Sequence, residues 1–239
     1  MLSINNVTKS YARNAPAAVK SLSLTVNASE IYGFIGPNGA GKTTTIKMAC
    51  GVLRIDSGSI KINGIDISDD PIAAKKMLAY VPDSPYLPQK LKGTEYLNFI
   101  GDMYDIPRSD RADIIHKHAK SFDIDDALSS RIGSYSHGMQ QKLALTGALL
   151  TRPKLMVLDE PMVGLDPKSA HALKETLKEM CEDGASVFFS THVLEVAEKF
   201  CSRVGIIQHG ALIAQGTLDE LRGGKDETLE EIFLELTDA

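Results

Sequence analysis

The chain has 239 residues, 43% apolar and 24% charged, with a formal net charge of −5. That length admits one large domain or two small ones, and the composition is ordinary for a globular protein. The acidic balance argues against a nucleic-acid partner, which selects a basic excess. No run approaches the ~18 apolar residues of a membrane-spanning helix. The first residues, Met1-Leu2-Ser3-Ile4-Asn5-Asn6, lack the basic and apolar regions of a signal peptide. Cys50, Cys181 and Cys201 form no C-x-x-C pair, so each is expected as a reduced, buried thiol in a cytoplasmic setting.

In chain order, Leu2 and Ile4, then Leu22, Leu24 and Val26, alternate with polar residues and predict antiparallel β-structure. Residues 31–35 read as a short buried strand. It feeds Gly36-Pro37-Asn38-Gly39-Ala40-Gly41-Lys42-Thr43-Thr44, which fits G-x-x-x-x-G-K-[ST], and residues 45–50 read as the helix leaving it. Strand, glycine loop and helix form the setting a phosphate-binding loop needs. Glycines let the backbone approach phosphate without a Cβ clash, and successive N–H groups then point inward as an anion nest. The following helix turns the positive end of its dipole to the same charge. Lys42 would reach the β- and γ-phosphates, and the Thr43 hydroxyl would ligate Mg²⁺.

Asn63-Gly64 predicts a hairpin turn within residues 60–67. Asp70-Pro71 opens a helix to about Met77, and residues 78–81 read as a strand. Residues 94–150 are mostly helical: one helix capped by Thr94, a charge-rich one over 109–122, and a third capped by Ser136. Strand–helix alternation then resumes, with strands at 155–158 and 186–189 and helices at 167–182 and 193–200, and this predicts a parallel sheet. His209-Gly210 marks a further hairpin. Thr228 and Glu231 form a capping box opening a last helix. Its apolar face (Leu229, Ile232, Phe233, Leu236) is expected to pack on its own domain rather than on a partner.

Asp159-Glu160 follows the apolar strand at 155–158 and so lies at the ligand-binding edge of a parallel sheet. Two carboxylates there need a cation or a proton. Asp159 is placed to hold Mg²⁺ through water, and Glu160 to orient and deprotonate an attacking water.

With these motifs in order, the chain resembles the nucleotide-binding subunit of an ABC transporter over residues 2–220. Ser134-Tyr135-Ser136-His137-Gly138-Met139-Gln140 stands where that family has Leu-Ser-Gly-Gly-Gln. Ser136 and Gly138 match; His137 replaces a Gly and Met139 the usual Gln. The resemblance implies that this helix N-terminus touches the γ-phosphate held by an opposite subunit; read alone, Ser136 is a helix cap. Val163-Gly164-Leu165-Asp166 resembles the loop that crosses to the partner, His192 the histidine that senses the γ-phosphate, and Tyr11 the aromatic that stacks on adenine. Asp83 stands where the family carries Gln; it can ligate Mg²⁺ or position water, and it adds negative charge near the phosphates. The apolar stretch Ser84-Pro85-Tyr86-Leu87-Pro88 is either the receiver of the permease's coupling helix or an ordinary packed loop.

The resemblance thus implies an α/β fold: a P-loop NTPase (RecA-like) core with an antiparallel β-subdomain and an inserted helical subdomain. Residues 1–239 would be a single ATP-binding cassette, with the helical subdomain at about 90–150 and the C-terminal helix at about 228–237. It implies an ATP hydrolase using ATP and Mg²⁺, sandwiched in a head-to-tail homodimer or heterodimer. Its partner would be an integral membrane permease at the cytoplasmic face of the cell membrane. The tail at 229–236, Gly93-Thr94-Glu95-Tyr96-Leu97 and the Met-bearing signature resemble export systems. The same ATP chemistry also serves soluble assembly machines, which the catalytic motifs do not distinguish. No N-K-x-D guanine motif is present, which disfavours a small GTPase.

Overall fold

The computed structural model describes residues 1–12 and 15–237. Its centre is a six-stranded sheet in the order β10-β9-β3-β8-β7-β6, built from β3 (Ile31–Ile35), β6 (Leu78–Val81), β7 (Leu155–Asp159), β8 (Ser186–Thr191), β9 (Arg203–Gln208) and β10 (Ala211–Gly216). The pairs β6/β7, β7/β8, β8/β3 and β3/β9 are parallel, and β10 returns antiparallel to β9. Every residue of β3, β7 and β8 is buried, because helices or a second sheet cover both faces.

The period-two geometry of a strand sorts those residues between two cores. Ile31, Met156, Leu158, Val187 and Phe189 face α5 (His137–Leu150) and α6 (Pro167–Glu182). Tyr32, Phe34, Leu155, Val157 and Phe188 face α1 (Lys42–Ala49) and a four-stranded antiparallel sheet. Phe34 and Phe188 pack there with centroids 5.5 Å apart and rings tilted by 43°, a favoured aromatic arrangement. The second sheet has the order β2-β1-β4-β5, from β1 (Leu2–Lys9), β2 (Val19–Val26), β4 (Ser57–Ile62) and β5 (Ile65–Asp66). Asn63 (φ 48°) and Gly64 (φ 83°) join β4 to β5, the two positive φ values a tight hairpin turn requires.

Helices α2 (Pro71–Lys76), α3 (Gly93–Met103) and α4 (Arg108–Ser121) precede α5, with two short 3₁₀ turns before it. After β8 come α7 (Leu194–Phe200), α8 (Leu218–Arg222) and α9 (Leu229–Thr237). The expected Thr228–Glu231 capping box is present. Leu229 and Ile232 pack on Ile35, Ala197, Val204 and Ile206, so this helix docks on its own core, while Leu236 stays exposed.

Several sequence expectations need correction. Helix α3 starts two residues early: Lys92 is its cap and the Glu95 carboxylate accepts from the Lys92 amide at 2.8 Å, leaving Thr94 inside the first turn. The strand after Asn63-Gly64 is only two residues long. Helix α1 begins at Lys42, three residues before the predicted start, because the glycine loop runs straight into it. Cys50, Cys181 and Cys201 are free thiols as expected; Cys201 is partly exposed as a residue, yet its sulfur packs against Gly33 and burial pushes its thiol pKa up. Helix α8 gave no signal beyond the Thr217–Glu220 capping box that the structure contains.

Candidate functional site: a glycine loop at the edge of the parallel sheet

Register decides which residues meet. Val81, Leu158, Phe189 and Gly33 lie in one row across the parallel strands. Two residues further along, Asp83 and Glu160 fall on the same C-terminal edge. His192 and Gly36 come one position later, beyond β8 and β3. Ligands bind at this edge of an open α/β sheet.

The loop between β3 and α1 is shaped by its neighbours. Gly41 sits at φ 111°, and a Cβ there would lie 2.6 Å from the Ala18 carbonyl oxygen, so no other residue fits. The Gly210 amide donates to the Ala40 carbonyl at 2.9 Å, and the Lys20 amide donates to the Gly210 carbonyl at 2.7 Å. The β9–β10 turn thereby clamps the loop against β2. Gly210 itself adopts φ 82°, and a Cβ there would lie 2.7 Å from the Ala18 carbonyl oxygen. Pro37, Asn38 and Gly39 are exposed at the loop's crest, and Gly36 and Ala40 are buried at its feet.

Lys42, 7% exposed, donates to the carbonyls of Gly36 at 2.7 Å and Pro37 at 3.2 Å. Its ammonium is 3.7 Å from Glu160 Oε1. Glu160 Oε2 is in turn 3.0 Å from His192 Nδ1. The sequence placed these three residues on one edge; the structure brings them into a single chain of contacts. Thr43 is exposed at the start of α1. Thr44 is buried, and its hydroxyl bonds the Tyr11 hydroxyl at 3.1 Å, which puts the exposed Tyr11 ring beside the loop.

Glu160 adopts φ +48°. For a residue with a Cβ that backbone costs about 1–2 kcal/mol, and it turns the carboxylate off the end of β7. The Glu160 amide is held by the Ser190 carbonyl at 3.2 Å and the Ser190 hydroxyl at 3.1 Å. Ser190 also donates its hydroxyl proton to Asp159 Oδ1. Asp159 is fully buried, and its Oδ2 has no hydrogen-bond partner. An orphaned carboxylate oxygen is expensive in a protein interior. It suits a cation, or a water held by one. The expected donor set, the Thr43 hydroxyl, exposed at the start of α1, with the carboxylates of Asp159 and Asp83, is the hard-oxygen chemistry that Mg²⁺ selects. Among the described residues no three His, Cys, Asp or Glu side chains converge as a metal cage. The Tyr80 hydroxyl is likewise buried without a partner; burial, then the Asp159 charge, pushes its pKa upward.

Ser136 caps α5 through the Met139 amide at 3.3 Å and is exposed. Gly138 packs against the carbonyl of Gly164. Asp166 caps α6 through the Ser169 amide at 2.9 Å and pairs with Lys142 of α5 at 2.6 Å. Lys142 and Ser169 hold the Asp166 carboxyl well below the usual carboxylate range. Sequence reading missed Lys142 and Ser190. Lys142 lies one turn along α5 from Gly138, and Ser190 breaks the apolar run of β8, the signal that could have found it.

A glycine loop ahead of a helix, a lysine folded into it and acids two strands away define a nucleoside-triphosphate-binding site. The ABC transporter family model matches residues 19–163. The chain is 37% identical to the ABC-type transporter ATP-binding protein EcsA of Bacillus subtilis, over 99% of this chain and 96% of that one. It is 34% identical to the linearmycin resistance ATP-binding protein LnrL of Bacillus subtilis, over 92% and 70%. A solved ATP-binding subunit of an ABC transporter superposes with a TM-score of 0.94 at 34% identity, covering 99% of both chains. The chain belongs to the ABC transporter family, as an ATP-binding subunit and ATP hydrolase. ATP-binding subunits of this family dimerise and work with membrane permeases. No helix among the described residues is long and apolar enough to cross a membrane.

Proposed function

We propose that this chain is a single cassette that powers export through a separate integral membrane permease, seated at the cytoplasmic face of the membrane. The observation that carries the catalytic reading is the contact chain Lys42–Glu160–His192 at the sheet edge. Export is supported by the resistance function in the name of LnrL, since removing a toxic compound is one route to resistance.

In this reading two copies, or this chain and a sibling, meet head to tail. ATP lies between the loop at residues 36–44 of one and Ser136–Gly138 of the other. Tyr11 stacks on adenine. The loop amides and Lys42 hold the β- and γ-phosphates, and the N-terminus of α5 faces the γ-phosphate from the other side. Asp166 is the last residue of the loop, Val163-Gly164-Leu165-Asp166, that would reach the partner. Thr43, Asp83 and Asp159 would hold Mg²⁺, which supplies charge neutralisation on the β- and γ-phosphates. Glu160 accepts a proton from the attacking water, whose oxygen bonds the γ-phosphorus in line as the bond to the β–γ bridging oxygen breaks. Lys42 balances charge on the transferring group, and His192 donates to a γ-phosphate oxygen. Losing the γ-phosphate removes contacts shared by both copies, so the pair opens and moves the permease.

Co-purification tests this. The tagged chain, extracted from its own host in mild detergent, is expected to bring a polytopic membrane protein in stoichiometric amount. Soluble partners alone, with no chain in the membrane fraction, would overturn the permease reading and leave the ATPase intact.

A further inference from the structure

We infer that Ser190 is a positioning residue for hydrolysis: one buried hydroxyl sets both the Asp159 carboxylate and the Glu160 backbone. The inference rests on the roles proposed above for those two acids. Ser190 is the penultimate residue of β8 and is fully buried. It lies directly opposite Asp159 in the parallel register.

A hydroxyl has one proton to give and lone pairs to accept with. Here the proton goes to Asp159 Oδ1, and a lone pair receives the Glu160 amide at 3.1 Å. Both bonds have a directional consequence. Fixing Oδ1 leaves Oδ2 as the only oxygen of Asp159 without a partner, so the carboxylate presents one defined atom to a cation or its water. Holding the Glu160 amide supports the left-handed backbone at φ +48°, the conformation that carries the Glu160 side chain toward Lys42 and His192. The Ser190 carbonyl alone, at 3.2 Å, would share that amide less firmly. An apolar residue of similar size would satisfy the packing of β8 and supply neither bond. Only Thr, among the other residues common in strands, keeps the hydroxyl in place.

The test compares Ser190→Ala, Ser190→Thr and Glu160→Gln in the full-length chain. Each is assayed for kcat and KM with ATP, for the Mg²⁺ concentration giving half-maximal turnover, and for binding of a fluorescent ATP analogue in EDTA. A displaced general base costs up to ~100-fold. Ser190→Ala is therefore expected to lower kcat by about tenfold or more, to raise the half-maximal Mg²⁺ concentration, and to leave KM and metal-free nucleotide binding near wild type. Ser190→Thr should restore most of the loss. A role in packing alone would change the fraction folded but not the Mg²⁺ dependence of the folded protein; that outcome would overturn the inference. So would Ser190→Ala turnover within twofold of wild type while Glu160→Gln is inactive. If Glu160→Gln itself turns over normally, the catalytic reading fails first and takes this inference with it. Should Ser190→Ala not fold, Ser190→Cys, which keeps the shape and weakens both bonds, is expected to give the same pattern; a Cys variant indistinguishable from wild type would overturn the inference.

Discussion

The two surfaces that the proposed mechanism brings onto one nucleotide are built differently. At the sheet edge the functional side chains already hold one another: Lys42 reaches Glu160, Glu160 reaches His192, and Ser190 ties Glu160 to Asp159. At the start of α5, Ser136 is exposed and its hydroxyl accepts from the Met139 amide, while the charged pair Lys142–Asp166 fastens the helix from behind. The first surface is preorganised by side chains, the second by a helix end. Affinity for nucleotide should therefore reside in the edge, and the response to nucleotide in α5.

The sharpest separation comes from the edge. Glu160→Gln keeps the size of the side chain and removes its basicity, so turnover is expected to fall by ~10³-fold while an ATP-bound dimer accumulates. Steady-state phosphate release and size-exclusion chromatography with ATP check both halves. Lys42→Ala would remove the charge-assisted bonds to phosphate that the proposed mechanism assigns to it, and takes from Glu160 the cation 3.7 Å away. Nucleotide affinity should weaken by ~100-fold in a fluorescence titration. On the other surface, Ser136→Asp preserves the helix cap, since Asp caps as well as Ser, yet sets a negative charge where the γ-phosphate would arrive. Turnover should drop by about tenfold or more, with nucleotide affinity of the single copy unchanged within ~twofold. Equal loss of affinity in Lys42→Ala and Ser136→Asp would erase the distinction.

The smallest effect lies away from both surfaces and gives a baseline for stability. His118 of α4 lines a cavity of about 460 Å³ near Lys154 and Ala185, which precede β7 and β8. Burial first, then the charge of Lys117, lowers its pKa from 6.5 to about 4, with Glu179 opposing. The unfolded chain then takes up the proton before the folded one. Stability present above pH ~6.5 is lost as pH falls toward 4, on the order of 1–2 kcal/mol by pH 5. Urea midpoints at pH 7 and 5 should show that slope in wild type and a shallower one in His118→Leu.

Much of the fold was legible because its signals are local. The glycine loop, Asn63-Gly64, His209-Gly210, Asp70-Pro71 and Thr228/Glu231 each dictate a turn or cap through their own geometry, and the apolar strands could only lie in a covered parallel sheet. The start of α3 was misread because Thr94 resembles a cap, whereas the Lys92 amide, donating to the Glu95 carboxylate, marks the boundary. Across the site, residue types were legible and their coupling was not. Which oxygen of Asp159 is fixed, and that Glu160 bends into positive φ, depend on Ser190, 31 residues from Asp159 in sequence. Parallel register supplies that pairing, and no local pattern announces it.

The clamp on the glycine loop carries a consequence for how such a protein can vary. The Ala40 carbonyl is tied to Gly210, which is tied to Lys20, so the loop's width is set by a turn about 170 residues away that touches no phosphate. Inherited changes at that hairpin would retune how tightly the protein grips its fuel and leave the chemical groups untouched. Selection thus has a dial for working range that is separate from the catalytic parts.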